Sequence, residues 1–474
     1  MKKRLTAGAL AAVIALSGCS EQVNREIEPL TDITEENFEE SLAASSGIKP
    51  EERFLIFGWN EEFETYFGDI VEKICSEHGK KAEYFYLYSQ EYNDNLLAAF
   101  KGNSSYYYNA PDNAPDLVLM EADYIQNYFP YITDVKELGI SENDTAQMYK
   151  YTKQIATDEK GALKALSWSA ASGVFAYRRS IAKELFGDDS PETVREAVKD
   201  WESYEKTAKK AAEKGYYITA STTETLRAFT DNKSVPWIEG GRLTVDQGLV
   251  NWAEMSRRLV SSGACPDYAM WTNEWMEEHS LSGKTLGFFY PSWGVNYCLG
   301  TTESFAGYYA EDGDYGVCEP PQYYYWGGTW LGVPKDSKNK EISAEIMRAV
   351  TCDTENLVNL GAQQLESVNN RAAMERLAAD SGLDSPLLCG QNPFGVYAQC
   401  AEKINCLNRG AYDMDIEDKF QYTMAEYVSG YGNLESALAY FLSEVGYSYG
   451  HLSLPEITDI TDVKHIAEEE TGWK

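Results

Sequence analysis

The chain has 474 residues, a length that suits roughly three average domains or two large lobes. Its 75 acidic against 41 basic side chains leave a formal net charge of −34. That balance argues against nucleic acid, since no surplus of Lys or Arg exists to neutralise phosphates, and against docking on an anionic membrane surface. Apolar content of 43%, with 34 Tyr, 17 Phe and 11 Trp, is ample for a packed core and excludes global disorder.

Lys2, Lys3 and Arg4 open the chain, and an apolar run from Leu5 to Leu16 follows, too short to span a bilayer stably. The segment closes on Ser17-Gly18-Cys19, and as a whole it resembles a bacterial lipoprotein signal. The resemblance implies cleavage of residues 1–18 and lipid attachment at Cys19, so that the chain meets the membrane through its lipid anchor only. Residues 20–52 carry ten acids and two basic residues, the composition of a solvated spacer. A flexible segment of that length spans roughly 30 Å. Eight further cysteines, from Cys75 to Cys406, match no zinc spacing and are expected as buried free thiols.

Arg53 to Phe57 is a continuous apolar run fit for a strand buried on both faces. A helical pattern covers Glu61 to about His78, a second strand Tyr84 to Tyr88, a helix the stretch through Phe100, and a third strand Asp116 to Met120. This β-α-β-α-β order predicts an α/β fold with a parallel sheet, in which ligands bind beyond the carboxyl ends of the strands. Farther on, ALSWSAASGVFAYRR predicts two short strands around Ser172-Gly173. Helices are expected at 180–186, 192–198, 201–214, 244–262 and 272–281, and strands at Thr285 to Phe289 and Thr329 to Val333. From Glu341 to Tyr447 the pattern is mostly helical, with breaks near 381–393 and 408–412, and residues 451–474 read as an acidic tail.

Several stretches resemble the extracellular solute-binding proteins of ABC transporters, specifically the carbohydrate-binding class of maltose-binding-protein-like architecture. They are Ala114-Pro115-Asp116 leading into LVLM and then Asp123-Tyr124, the run ALSWSAASGVFAYRRSIAKELFG, and PPQYYYWGGTWLGVPK before a helix near Ser343. Their order is collinear with that family over about residues 53–447; Ala165-Leu166-Ser167 departs from it where a Pro is common. The resemblance implies a two-lobe periplasmic-binding-protein-like fold with a hinge and an interlobe cleft. Lobe one would be 53–163 with 326–366, lobe two 164–325 with 367–450, and the hinge would lie at Leu163 to Trp168 and Tyr325 to Gly328. It further implies capture of an oligosaccharide by hinge closure, delivery to ABC transporter permease subunits, no cofactor, a monomer, and a place on the outer face of the cytoplasmic membrane.

A pyranose presents a face of C–H bonds and a rim of hydroxyls, so aromatic rings suit the face and amides or carboxylates the rim. Trp59, Asn60, Asp123, Tyr124, Trp168, Trp293 and Trp326 stand after strands or in the hinge loops and are the expected ligand contacts. The plain alternative for each aromatic is core packing, and for Asp123 and Asn60 a helix-capping role. Trp201 and Trp330 follow element periodicity and are expected in packing.

Catalytic and metal patterns fail on their context. Gly446-Tyr447-Ser448-Tyr449-Gly450 matches a nucleophile elbow, but a helical pattern precedes it where a strand is required. Gly283-Lys284-Thr285 lacks the first glycine of a phosphate loop, Glu278 standing in its place. Asp413, Asp415 and Glu417 suggest a calcium loop, but Asp418 and Met424 occupy the positions of its Gly and Glu. No metal is expected. A secreted glycoside hydrolase and a glycan-binding adhesin are the rival readings; the first needs two carboxylates at suitable separation, which so many acids supply by chance.

Overall fold

The computed structural model describes residues 50–86, 92–100, 115–280, 282–300 and 313–461. The signal segment 1–18, Cys19, nearly all of the spacer and the end of the acidic tail lie outside the described residues. So do the last two positions of the strand expected at 84–88. Ten strands form among the described residues: β1 (Arg53–Gly58), β2 (Lys81–Tyr86), β3 (Leu117–Glu121), β4 (Leu166–Ser167), β5 (Gly173–Arg178), β6 (Ile238–Glu239), β7 (Arg242–Leu243), β8 (Gly287–Pro291), β9 (Tyr315–Cys318) and β10 (Thr329–Gly332).

The chain divides into two compact units. The first holds the described residues up to Met120, Asn127–Thr133 and Leu331–Ile346; the second holds Glu121–Gln126, Asp134–Trp330 and the chain from Met347. Residues 134–163 and 347–366, expected in lobe one, thus pack with the second unit. The amide of Tyr149 and the hydroxyl of Thr152 both donate to the Asn369 side-chain oxygen at 3.0 Å, which ties the first of these segments there.

In the first unit the strands run β2-β1-β3-β10. β1 is parallel to both β2 and β3, pairing Arg53 with Lys81 and Ile56 with Leu117. Helix α1 (Glu62–Glu77) buries Phe63, Phe67, Val71 and Ile74, a spacing of three and four residues that keeps one stripe on the sheet. α2 (Tyr92–Phe100) makes the second crossover, and its Tyr92 hydroxyl donates to the Leu119 carbonyl at 2.8 Å. β2 begins three residues earlier than its apolar run. Glu83 is tolerated in the strand because it pairs with Arg53 at 2.5 Å, both of them buried. Asp116, just before β3, accepts from Leu55 N, Ser337 Oγ and Asn339 Nδ2 and so ties β1 to the segment after β10.

The second unit is built on the antiparallel sheet β8-β5-β9, with Phe175 opposite Phe289 on one side and Cys318 on the other. β6 and β7 form a separate hairpin. Helices α3 (Leu226–Thr230), α4 (Gln247–Ser261), α5 (Asn273–Glu277), α6 (Asp413–Val428) and α7 (Leu434–Ser448) belong to this unit. Trp237 packs against Phe420 and Phe441, and Trp252 against Phe420, at centroid distances of 5.3–6.1 Å within that ring cluster. Trp201 stacks on Phe229 at 4.5 Å, and Trp330 is buried with its indole N–H on the Thr152 carbonyl. Residues 446–448 continue α7, so the G-x-S-x-G run occupies no strand-to-helix turn. All eight described cysteines are free thiols, six of them buried. No described helix is long and apolar enough to cross a membrane.

Candidate functional site

Trp326 follows Tyr325 at the end of a turn-rich stretch and is succeeded by Gly327 and Gly328, with φ of +69° and +96°. This left-handed backbone favours glycine. At Gly327 a side chain would also crowd the Trp293 indole, since a Cβ there would lie 3.3 Å from its Nε1. Trp293, in the helical turn that ends β8, donates from Nε1 to the Trp326 carbonyl at 2.8 Å. Their ring centroids are 5.8 Å apart and the planes cross at 71°. The structure thus brings two of the expected ligand contacts together.

A third ring was not foreseen. Trp271 lies 6.5 Å from Trp326 with the planes at 73°, and 4.8 Å from the buried Trp275 of α5. Trp271 has φ of +70°, a conformation that costs a bulky L-residue on the order of 1–3 kcal/mol and persists only where the surroundings enforce it. Trp271, Trp293 and Trp326 are each half-buried. Together they form a corner of rings meeting nearly at right angles. A strand end marks Trp293 in the sequence and the expected hinge segment marks Trp326, whereas Trp271 sits between two helices with no such signal.

Joined to the corner through Tyr325, the residue before Trp326, is a buried network of charges, all within the second unit. Asp123 receives both Nη atoms of Arg227, at 2.8 and 2.6 Å, and Nη2 of Arg409 at 2.6 Å. Burial would raise its carboxyl, but the two guanidiniums hold it well below the usual carboxylate range. Arg409 also approaches Asp231 at 3.5 Å and Glu417 at 3.4 Å. Lys233 bridges Asp413 at 3.0 Å and Glu417 at 2.7 Å. Two acids of the calcium-like pattern, Asp413 and Glu417, are thus engaged by Lys233, and the third, Asp415, pairs with Lys419 at 2.7 Å. Asp231 accepts from Tyr325 N at 2.9 Å; burial pushes its carboxyl up to about 7 against the pull of Arg409 and Arg227. The three cations and four carboxylates of this network nearly balance.

The remaining predicted residues fall elsewhere. Trp168 is 1% exposed, its indole in the interior of the second unit. The neighbouring segment is nonetheless next to the corner, because Trp326 N donates to the Ala171 carbonyl at 3.1 Å. Asp123 has its carboxylate taken up by arginines, and Tyr124 is half-buried beside it. Trp59 and Asn60 belong to the first unit. Trp59 is half-buried with its ring edge-on to Tyr92 at 5.6 Å, and Asn60 Oδ1 accepts from the Glu62 amide at 3.1 Å, an Asx-type turn leading into α1, whose N-cap is Glu61.

The model of bacterial extracellular solute-binding proteins matches residues 70–375, well over half of the chain. The chain belongs to that family. No curated protein matches it by sequence. Among solved structures, an extracellular solute-binding protein of family 1 superposes with a TM-score of 0.71 at 16% identity, covering 84% of this chain and 99% of its own. The galacto-N-biose-/lacto-N-biose I-binding protein of the Bifidobacterium longum ABC transporter, in complex with lacto-N-biose, gives 0.62 at 16% identity over 85% and 98%. The sugar-binding protein MalE of Xanthomonas citri gives 0.63 at 14% identity over 84% and 97%. At these identities the likeness establishes the fold, which is the two-lobe α/β fold of periplasmic binding proteins. The family member described here is a solute-binding protein.

Proposed function

We propose that this solute-binding protein is held by lipid at Cys19 on the outer face of the cytoplasmic membrane, captures an uncharged oligosaccharide, and hands it to the permease of an ABC transporter. The observation that carries the reading is the corner of Trp271, Trp293 and Trp326, half-buried and joined through Tyr325 to a nearly charge-balanced network. Rings at right angles suit a guest with apolar faces in more than one direction, as successive pyranose units present, and a near-neutral network suits a guest without charge. Trp59 and Tyr124 are proposed as further contacts, and Asn60, Asp123 and Trp168 as residues that hold their loops in place. Capture by hinge closure and the monomeric state belong to the same proposal. The sugar-binding relatives named above support the ligand class, and nothing in the reading requires turnover.

The test is a panel of neutral oligosaccharides, followed by melting temperature and by product analysis. A ligand that binds only the folded state raises stability by mass action. Stabilisation without products supports a binder, and product formation overturns it. Trp293→Ala or Trp326→Ala should weaken binding by roughly tenfold, about 1.4 kcal/mol, with the fold retained. Unchanged affinity in both removes the corner from the binding site.

A further inference from the structure

One short stretch of chain, Thr222 to Asp231, bonds to a neighbour of each ring of the corner. Glu224 is completely buried. Its Oε1 accepts from Trp275 Nε1 at 2.7 Å, and Trp275 is the ring against which Trp271 packs. Its Oε2 accepts from Thr219 Oγ1 at 2.9 Å and from Phe289 N at 3.2 Å, and Phe289 lies in β8, whose end carries Trp293. Asp231, at the other end of α3, accepts the amide of Tyr325, the residue before Trp326.

We infer that Glu224 and Asp231 are positioning residues that fix the relative placement of Trp271, Trp293 and Trp326. The chemistry of the two sites supports carboxylates in particular. Glu224 faces three donors and gives no hydrogen bond of its own, so the amide group of a glutamine would turn a donor onto a donor whichever way it was placed. At Asp231 the second oxygen lies 3.5 Å from Arg409 Nη1, where the amide nitrogen of an asparagine would face a cation. Both positions are poor places for an acid otherwise, since a buried carboxylate is costly unless its hydrogen bonds are complete.

The arrangement makes the corner responsive to pH. Burial pushes both carboxyl groups up to about 7. The other titratable groups influenced by Glu224 are Tyr204, Cys265, Tyr290, Cys298 and Tyr324, all held in their neutral forms by burial; Asp231 faces Arg409, Arg227, Glu417, Tyr151, Tyr324, Tyr325 and Cys406. A protonated carboxyl group loses acceptor capacity, so acidification below about 7 loosens the hold on Trp275, Phe289 and Tyr325.

The role of these two acids in ligand recognition rests on the sugar-binding reading, but their hold on the rings is measurable without any sugar. Near-ultraviolet circular dichroism of the whole protein, followed from about pH 8.5 to about pH 5.5, should show the indole bands change with a midpoint near 7. Glu224→Gln and Asp231→Asn should already show the altered bands at about pH 8.5, with the far-ultraviolet spectrum and cooperative unfolding retained, whereas exposed Glu435→Gln should match the parent. For an oligosaccharide identified by the panel, affinity of the parent should fall about tenfold on acidification, and the two variants should bind about tenfold more weakly at high pH with a flattened pH profile. Folded variants with parental indole bands overturn the inference. So does a parent protein whose indole bands do not respond to pH, a result that needs no variant. If the spectral changes occur and no neutral sugar binds, the positioning role stands and the sugar reading falls.

Discussion

Asp123 carries two arginines on a single carboxylate, drawn from positions 104 and 286 residues away in the chain. Sequence periodicity shows Asp123 as a polar residue after a strand and nothing more; Arg227 and Arg409 have no local signature at all, because only the tertiary fold brings them together. Removing one partner of a buried ion pair leaves the other charge uncompensated, so Asp123→Asn should cost about 3–5 kcal/mol in urea unfolding at neutral pH. A loss below about 1 kcal/mol would show that the guanidiniums find other partners. The sign with pH follows from the depressed carboxyl: its stabilisation is complete above the ordinary carboxylate value near 3.9 and is lost as pH falls through the lower folded-state value. Glu224 behaves oppositely. Its folded-state value of about 7 lies above the unfolded one, so between about 4.5 and 7 the native state holds a proton the unfolded chain has shed. Stability should therefore decline as pH rises across that window, and Glu224→Gln should reduce the slope, leaving the part due to Asp231. An unchanged slope in denaturant titrations would place the carboxyl in contact with water.

At the scale of elements, the strand and helix order was legible where the pattern had enough length. β1, β3, α1 and the helices from 340 onward lie within a few residues of their apolar runs. β9 was not, since Tyr315–Cys318 is four residues between turn-rich stretches and owes its place to pairing with β5. Nor does a sequence tell that the β8-β5-β9 sheet is antiparallel, which depends on partners over a hundred residues apart. Two of the candidate site's tryptophans could be found, Trp293 because a strand end announces it and Trp326 because it stands in the expected hinge segment; Trp271 could not, because its position follows from packing on Trp275. The same sheet explains its glycines. A Cβ on Gly287 would lie 2.1 Å from the Phe175 ring, and one on Gly316 2.6 Å from that of Tyr177. The large rings of β5 thus occupy space left by missing side chains on both neighbouring strands. Gly287→Ala should cost about 1–3 kcal/mol by overpacking. Gly395, in the helix Phe394–Lys403 with open space around its Cα, gives the contrast: alanine there should stabilise by about 0.5–1 kcal/mol. Equal effects of the two substitutions in thermal or urea melts would refute the packing account.

For the whole molecule, the excess of acid over base decides which guests can approach. A formal charge of −34 repels anions over a distance set by salt, roughly 30 Å at 0.01 M and about 10 Å at 0.1 M. A neutral oligosaccharide feels none of this, and the buried network joined to the corner adds little net charge to attract or repel it. Its affinity and association rate should therefore stay constant within about twofold between low and high ionic strength. An analogue of the same length ending in a uronate meets the long-range repulsion at low salt, so its association should be slow there and speed up as salt screens the field. The measurement is stopped-flow tryptophan fluorescence with the two sugars at about 0.02 M and about 0.5 M salt. A uronate that associates faster at low salt would reveal a positive recognition surface and would replace the neutral guest by an acidic one.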